Sequence, residues 1–424
     1  MKNLAKTLGF GLMVTTALTA SAYAEVTPEA VIAHYADIAE AKYDDALSTA
    51  KALDAAIEQL IATPSEETLQ AAKTAWLAAR VPYQQTEVYR FGNAIVDDWE
   101  GRVNAWPLDE GLIDYVDASY GSESDENTLF TANVIANPEI EINGKMVDAG
   151  KITPELISGT LQEAGGIEAN VASGYHAIEF LLWGQDLNGN GPGAGNRPYT
   201  DYSLENCTNA NCDRRSAYLG AASDLLVADL EEMAANWKAG GAARAALEEA
   251  GVAGGLSTIL TGMGSLSYGE LAGERMKLGL LLGDPEEEHD CFSDNTHNSH
   301  RYDAVGILTA YNGVYTRPDG SELTGASLAD LVSQKDPAIA KELSSDLNAT
   351  VAAMEAMVAR AETTEAYDQM IATDNAEGNA VVEAAIDGLI TQTRSIERAI
   401  AALDLGAIEL EGSDSLDSPE AVFQ

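Results

Sequence analysis

The chain has 424 residues, 46% of them hydrophobic, with 68 acidic against 24 basic side chains and a formal net charge of −44. A surface this acidic repels nucleic acid and anionic membrane faces and concentrates cations without selecting one; adaptation to a salty medium leaves the same signature. At this length more than one ordinary core is expected.

Residues 1–24 carry Lys2 and Lys6, an apolar run from Leu8 to Leu18, and Ala22-Tyr23-Ala24 as a small-x-small cleavage site. That is the pattern of a secretory signal peptide, which places the mature protein in the periplasm, the cell envelope or the medium. Its removal deletes two lysines and no acid, taking the charge from −44 to −46. No cysteine stands near the cut to take a lipid, and no later segment approaches ~20 uninterrupted apolar residues, so no membrane span is expected.

From there helical period dominates and strand alternation is nearly absent. Helices are expected over Pro28 to Ala62, Glu66 to Phe91, Pro154 to Glu163, Ile167 to Trp183, Arg214 to Ala239, Ser257 to Leu282, Arg301 to Tyr315, Pro337 to Ala361 and Gly378 to Leu403. Thr27-Pro28 and Thr153-Pro154 place a hydroxyl cap before a proline at the first helical position. The fold class is all-α, with two helical bundles over 25–200 and 201–406. The glycine- and proline-rich stretch Asn188 to Cys212 forms the break between them. The segment 92–126, with Trp99, Trp106, Pro107 and Tyr115, is too aromatic for a linker and reads as an ordered loop. The tail 407–424 is acidic, poor in apolar residues and expected to be disordered. Cys207 and Cys212 enclose a polar loop and most simply form a local disulfide, with Cys291 left over, although Cys291 could pair with either.

The residues that could carry chemistry are few. His176 and Glu179, three apart in the run Gly174-Tyr175-His176-Ala177-Ile178-Glu179, lie on one helix face, and an imidazole beside a carboxylate suits iron, zinc, manganese or copper. A core histidine satisfied by a glutamate would look the same. Three of the five histidines, His289, His297 and His300, fall in one window with Asp290, Asp294 and Asn295. An exposed polar turn is the bland reading of that window; a set of loop ligands pointing into a cleft is the functional one. Trp76, Arg80, Tyr83, Glu87 and Arg90 recur at helical spacing, and aromatic rings among the charges point to burial, which demands charge partners. Glu87 is a candidate third donor, while Arg80 or Arg90 would neutralise excess carboxylate or hold an anionic ligand. His34 is assigned to packing. Asp186, Asn188, Asn190 and Gly191 copy the start of a calcium loop, but its twelfth position is Arg197 rather than a bidentate glutamate, so an EF-hand is not expected. No HExxH, G-x-S-x-G or P-loop pattern occurs.

Taken together, the leader, Trp76 to Phe91, Val103-Asn104-Ala105-Trp106-Pro107-Leu108, the GxHxxE segment and Cys291-Phe292-Ser293-Asp294-Asn295-Thr296-His297 resemble the imelysin family, most closely its iron-regulated protein A branch. The resemblance implies two helical bundles with the GxHxxE segment near a cleft between them, an envelope location and a link to iron acquisition. It also implies a role for His176 and Glu179 as metal ligands. Glu87, Asp294 and His297 are nominated on geometric grounds, apart from the resemblance, to complete the site. The expected function is binding of a divalent or transition metal, iron before zinc or copper, for storage or for delivery to an inner- or outer-membrane iron transporter. The alternatives are a metallopeptidase using the same ligands with Glu87 as general base, and a metal-free heme- or protein-binding envelope factor.

Overall fold

The computed structural model describes residues 25–423, so the leader 1–24 lies outside the described residues. The protein is all-α: among the described residues its strands are two short antiparallel hairpins, β1 (Glu139–Ile142) with β2 (Lys145–Asp148) and β3 (Val314–Thr316) with β4 (Glu322–Thr324), in registers that pair Ile140 with Val147 and Tyr315 with Leu323.

Eight long helices do the work. Helix α1 (Pro28–Ala62) starts where the sequence places it, because the Thr27 hydroxyl accepts from the Ala30 N–H and Pro28 needs no partner for its own nitrogen. Helix α2 (Glu66–Gln84) opens on a reciprocal Ser65/Thr68 cap and breaks after Gln84, giving way to a 3₁₀ turn at Glu87–Tyr89 where a helix to Phe91 was expected. Helices α3 (Gly174–Trp183), α4 (Cys212–Trp237) and α5 (Gly251–Ser265) follow, and α5 runs on through a π-helical stretch, Leu266–Lys277. Helices α6 (Thr296–Asn312), α7 (Pro337–Thr363) and α8 (Ala376–Ala402) complete the set, the last two capped by Asp336 and Asn375. Helix α1 packs on α2 and α4; α7 packs on α8 and α6; α2 meets both α3 and α6, which brings the GxHxxE segment and the histidine window together. One apolar cluster runs from Val31 to Ile400.

Two outcomes concern the ends and the cysteines. Cys207 and Cys212 are bridged and Cys291 is a free thiol. The acidic tail, expected to be disordered, instead lies against the α5 extension. The Glu411 N–H donates to Ser265 Oγ at 3.1 Å, the Ser415 hydroxyl donates to the Gly273 carbonyl at 2.9 Å, and Ile408 and Leu416 pack on the core. A few apolar and hydroxyl side chains anchor a segment whose overall composition looks fully solvated.

Candidate metal centre

Helix α3 begins seven residues later than its apolar pattern implies, and Gly174 is the reason. Its φ is +80°, and a Cβ there would sit 2.3 Å from the Val103 carbonyl oxygen, to which the Tyr175 N–H donates at 2.7 Å. Only glycine permits this approach. All ten residues of α3 are buried, so it is enclosed on every side where the sequence indicated one apolar face. The Trp76 indole N–H holds the Tyr175 carbonyl at 2.9 Å, fixing the first turn against α2.

Within that helix His176 Nδ1 lies 3.0 Å from Glu179 Oε2, and the other carboxylate oxygen of Glu179 accepts from the Ser293 N–H at 3.0 Å and the Ser293 hydroxyl at 2.7 Å. His176 Nε2 is buried without a hydrogen-bond partner among the described residues. Facing it is His289, whose ring centre is 4.8 Å away, followed by Asp290. One ligand atom from each of His176, His289 and Asp290 lies within 4.8 Å of the other two.

A buried frame holds these donors. Arg80 Nη2 donates to Asp290 Oδ1 at 2.7 Å and Nη1 to Asn104 Oδ1 at 2.7 Å, while Asn295 Nδ2 at 2.8 Å and the Ser299 hydroxyl donate to Asp290 Oδ2. The guanidinium is itself stacked among Tyr175, Trp76 and Tyr83, 5.1 to 5.7 Å from their ring centres. Gln84 Nε2 approaches His289 Nδ1 at 3.3 Å, and the Trp106 ring stands edge-on to His289 with its indole N–H on the Glu288 carbonyl at 2.6 Å. A cavity of about 360 Å³ reaches His176 between Trp106, Pro107 and Phe292, with Asp109, Glu110, Glu286 and Glu287 around it. A second cavity of about 350 Å³ beside Tyr115, Trp183 and Arg197 contains none of the donors.

The electrostatics keep the imidazoles neutral. Burial, and then the positive charge of Arg80, take His176 down to about 3. Burial, and then Arg275, take His289 well below the usual range. Burial alone would raise Asp290, but Arg80 outweighs it and holds the carboxyl low. Burial and the Asp290 charge push Glu179 well up. Neutral imidazoles with one ionised carboxylate are the protonation states that metal coordination requires.

Three of the expected donors lie elsewhere. Glu87 is buried, as its spacing with aromatic rings indicated, but Arg275 Nη2 takes its Oε2 at 2.6 Å, and the same guanidinium binds Glu270 and Asp303; a partner this close leaves Glu87 outside the group. Asp294 and His297 come from the right window but fall outside the cluster. Asp294 adopts φ +54° and is pushed up to about 7 by burial and then the Asp368 charge, and His297 Nε2 meets Asn298 Nδ2 at 3.0 Å. Glu179 meets His176 at Nδ1, on the side of the ring away from Nε2. The residues grouped with His176 are His289 and Asp290, which the sequence placed in the histidine window without nominating them to complete the site. The one His-Asp dipeptide in the chain, set against an arginine that had to find a buried acid, was the available signal. His34 is a packing residue, with Nε2 on the Gly313 carbonyl at 2.9 Å.

The sequence profile described as imelysin matches residues 39–396. A curated relative, iron-regulated protein A of Synechococcus elongatus, is 34% identical over 71 residues, 16% of this chain and 20% of that protein, so the match spans about a fifth of the relative's length. Two crystal structures share the fold. One, described as an iron-regulated protein A precursor from Parabacteroides distasonis, has 18% identity and a TM-score of 0.63 over 90% of this chain and 97% of its own. The other, an imelysin-like protein from Psychrobacter arcticus, has 17% identity and a TM-score of 0.55 over 89% and 97%.

Proposed function

The chain belongs to the imelysin family, and on that premise we propose that it binds a transition metal, iron first, where His176, His289 and Asp290 converge, and serves iron acquisition in the cell envelope. The observation that carries this is the fully buried, unpartnered Nε2 of His176 inside a group of three donors. A buried polar atom without a partner is costly, and a metal satisfies it. Nitrogen and oxygen donors of this kind suit iron, zinc and copper alike. The relatives' names favour iron. The acidic rim of the cavity draws cations to its mouth, and delivery to a membrane transporter is the partner relation this reading implies.

The residues behind the donors have assigned parts. Glu179 orients His176 through Nδ1, and Ser293 orients Glu179. Burial favours the protonated carboxyl of Glu179, and Glu179 lies on Nδ1, which leaves Nε2 as the ring nitrogen open to a cation. A metal competes with protons for imidazole and carboxylate donors, so uptake weakens as pH falls. Arg80 cancels the Asp290 charge when the pocket is empty. No observation favours a hydrolytic reading, since Glu179 and Asp290 are both engaged by several donors and neither is a free general base.

Elemental analysis of protein purified without chelators tests the reading, with wild type beside the His176→Ala, Glu179→Ala double variant and His289→Ala. About one equivalent of iron or another transition metal, lost in both variants while helical content holds, is expected. Wild-type protein that arrives empty and takes up neither iron, zinc nor copper on titration overturns it.

A further inference from the structure

A metal ion travels either hydrated or inside an organic chelate, and the walls of the cavity that reaches His176 discriminate between the two. Four carboxylates stand in them, in order of deepening burial: Glu286 is exposed, Asp109 and Glu287 are half-buried, and Glu110 is 5% exposed. His176 lines the same cavity, 1% exposed, with Nδ1 turned to Glu179 and Nε2 unpartnered among the described residues. No lysine or arginine is among the lining residues. Elsewhere the interior answers its acids with arginine: Asp114 with Arg215, Glu87 with Arg275, Asp290 with Arg80. None of the four cavity carboxylates enters an ion pair among the described residues. The arginines that the sequence offered to an anionic ligand are already spent, Arg80 on Asp290 and Asn104, Arg90 on Asp97 and Glu270.

A hydrated cation presents O–H donors on its outer face, and ionised carboxylates are acceptors only, so the two match in charge and in hydrogen bonding. An anionic chelate sets acceptors against acceptors and meets like charge. The Trp106 indole N–H, a donor in the wall that could have served an anion, is held by the Glu288 carbonyl. Six waters at ~30 Å³ each come to about 180 Å³, which the cavity of about 360 Å³ accommodates. A cleft lined by charges of one sign focuses the field and raises the local concentration and the entry rate of the opposite ion.

We propose that this cavity is a station for the hydrated metal ion, in which Asp109, Glu110, Glu286 and Glu287 hold the ion through its coordinated waters, and that the ion gives up water only where His176 Nε2 replaces it. The protein therefore loads from free hydrated cations and refuses a metal carried in an anionic chelate, heme with its propionates included. The four carboxylates do not converge as direct ligands do, and a station has no need of it, because a water bridges each of them to the ion. The proposal rests on the transition-metal reading for the ion's destination, while the station itself uses neither His289 nor Asp290 and is detectable without them.

Calorimetric titration with hexaamminecobalt(III), whose ammine donors do not exchange and which therefore mimics an ion that stays hydrated, tests the station. The titration is run near pH 8, above the value of about 7 to which burial and then the Glu286 charge raise Glu110. A saturable site is expected in wild type and in His289→Ala. It should be lost in the Glu110→Gln, Glu286→Gln double variant, and kept when the same charge is removed from exposed positions of β1 by Glu139→Gln, Glu141→Gln. Hexacyanocobaltate(III), equally inert but anionic, should not bind. Stopped-flow tryptophan fluorescence under argon reads loading: ferrous ion should enter the Glu110→Gln, Glu286→Gln variant about 10-fold more slowly than wild type, and hexaamminecobalt(III) should slow its entry into wild type. Iron supplied as its citrate chelate should load only as fast as the chelate releases it. Glu286→Gln alone, at an exposed side chain, supplies the same test in smaller degree if the double variant folds poorly. A hexaamminecobalt(III) site in a wild type that never loads iron would support the station and overturn the transition-metal reading alone. Absence of that site, its survival undiminished in both acid variants, or loading from the citrate chelate as fast as from the free ion overturns the proposal.

Discussion

Around Asp114 the buried charges close on one another. Arg215 grips both carboxylate oxygens at 2.6 and 2.9 Å, Arg197 adds a third bond at 2.7 Å and reaches Asp201, and Asp201 is held in turn by Tyr115, Thr208 and Asn209. Around His176 the charges close at the back, where Arg80 meets Asp290, while His176 Nε2 and both ring nitrogens of His300 have no hydrogen-bond partner among the described residues. Both regions hold fully buried charges. What separates structural polarity from a binding site is therefore whether the donors and acceptors balance: the Asp114 cage leaves little unpaired, and the imidazole pocket leaves unpaired the atoms that a ligand would use.

The largest expected effect comes from breaking the cage. Asp114→Asn leaves two buried guanidinium groups without their shared counter-charge and turns an acceptor into a donor facing donors. A loss of about 3–5 kcal/mol in urea unfolding is expected, with metal content per folded molecule unchanged. A small loss would mean the cage is less closed than its distances indicate, and metal lost along with stability would mean the two regions are coupled.

The pocket should respond in the opposite sense. Glu179→Gln keeps the side-chain shape and an acceptor for Ser293 but replaces the carboxyl oxygen that meets His176 Nδ1 and orients the ring. Metal affinity should fall by about 10–100-fold, with the unfolding midpoint nearly unmoved. Competition titration against a chelator of known affinity reads the change, and an unaltered affinity would return Glu179 to the status of a packing residue.

Much of the fold, and the pairing of His176 with Glu179, were legible in the sequence. Helix α1 was readable because Thr27-Pro28 is a local signal that the structure obeys. The start of α3 was not, because the apolar pattern continues back through Val171 and only a distant contact, the Val103 carbonyl against Gly174, decides where the helix can begin. His176 and Glu179 were readable because their relation is set by helical geometry three residues apart. Asp290 was not, because what distinguishes it from Asp294 is Arg80, 210 positions away in the chain. Glu87 was correctly placed in the interior, and its place outside the His176 group was not legible, since Arg275 reaches it from a π-helical stretch that no local pattern announces. Val103 to Leu108 gained a meaning only in three dimensions, where Asn104 holds Arg80 and Trp106 stands against His289.

The last expected effect is in the acid limb of stability, and it sharpens the same contrast. His300 is fully buried, with burial first and then the Arg275 charge taking it down to about 3, whereas unfolded it titrates near its usual value of 6.5. The unfolded chain therefore binds a proton that the folded chain refuses, and this contribution to stability is present above pH 6.5 and lost progressively as pH falls toward 3. Asp114 is held below its ordinary 3.8, so the cage gives way only at pH values below that range. Glu100 and Glu110, both pushed up to about 7 by burial, act with the opposite sign, losing stability as pH rises from about 4.5 to about 7, so the wild-type profile alone mixes the two. The difference between wild type and His300→Gln isolates the imidazole. In chelator, the variant should show a shallower loss between pH 6.5 and pH 4 in urea midpoints, whereas Asp114→Asn should leave the slope across that window as it is. Parallel profiles for wild type and His300→Gln would mean that His300 already finds a proton or a partner in the folded state, and that the pocket is closer to the closed condition of the cage.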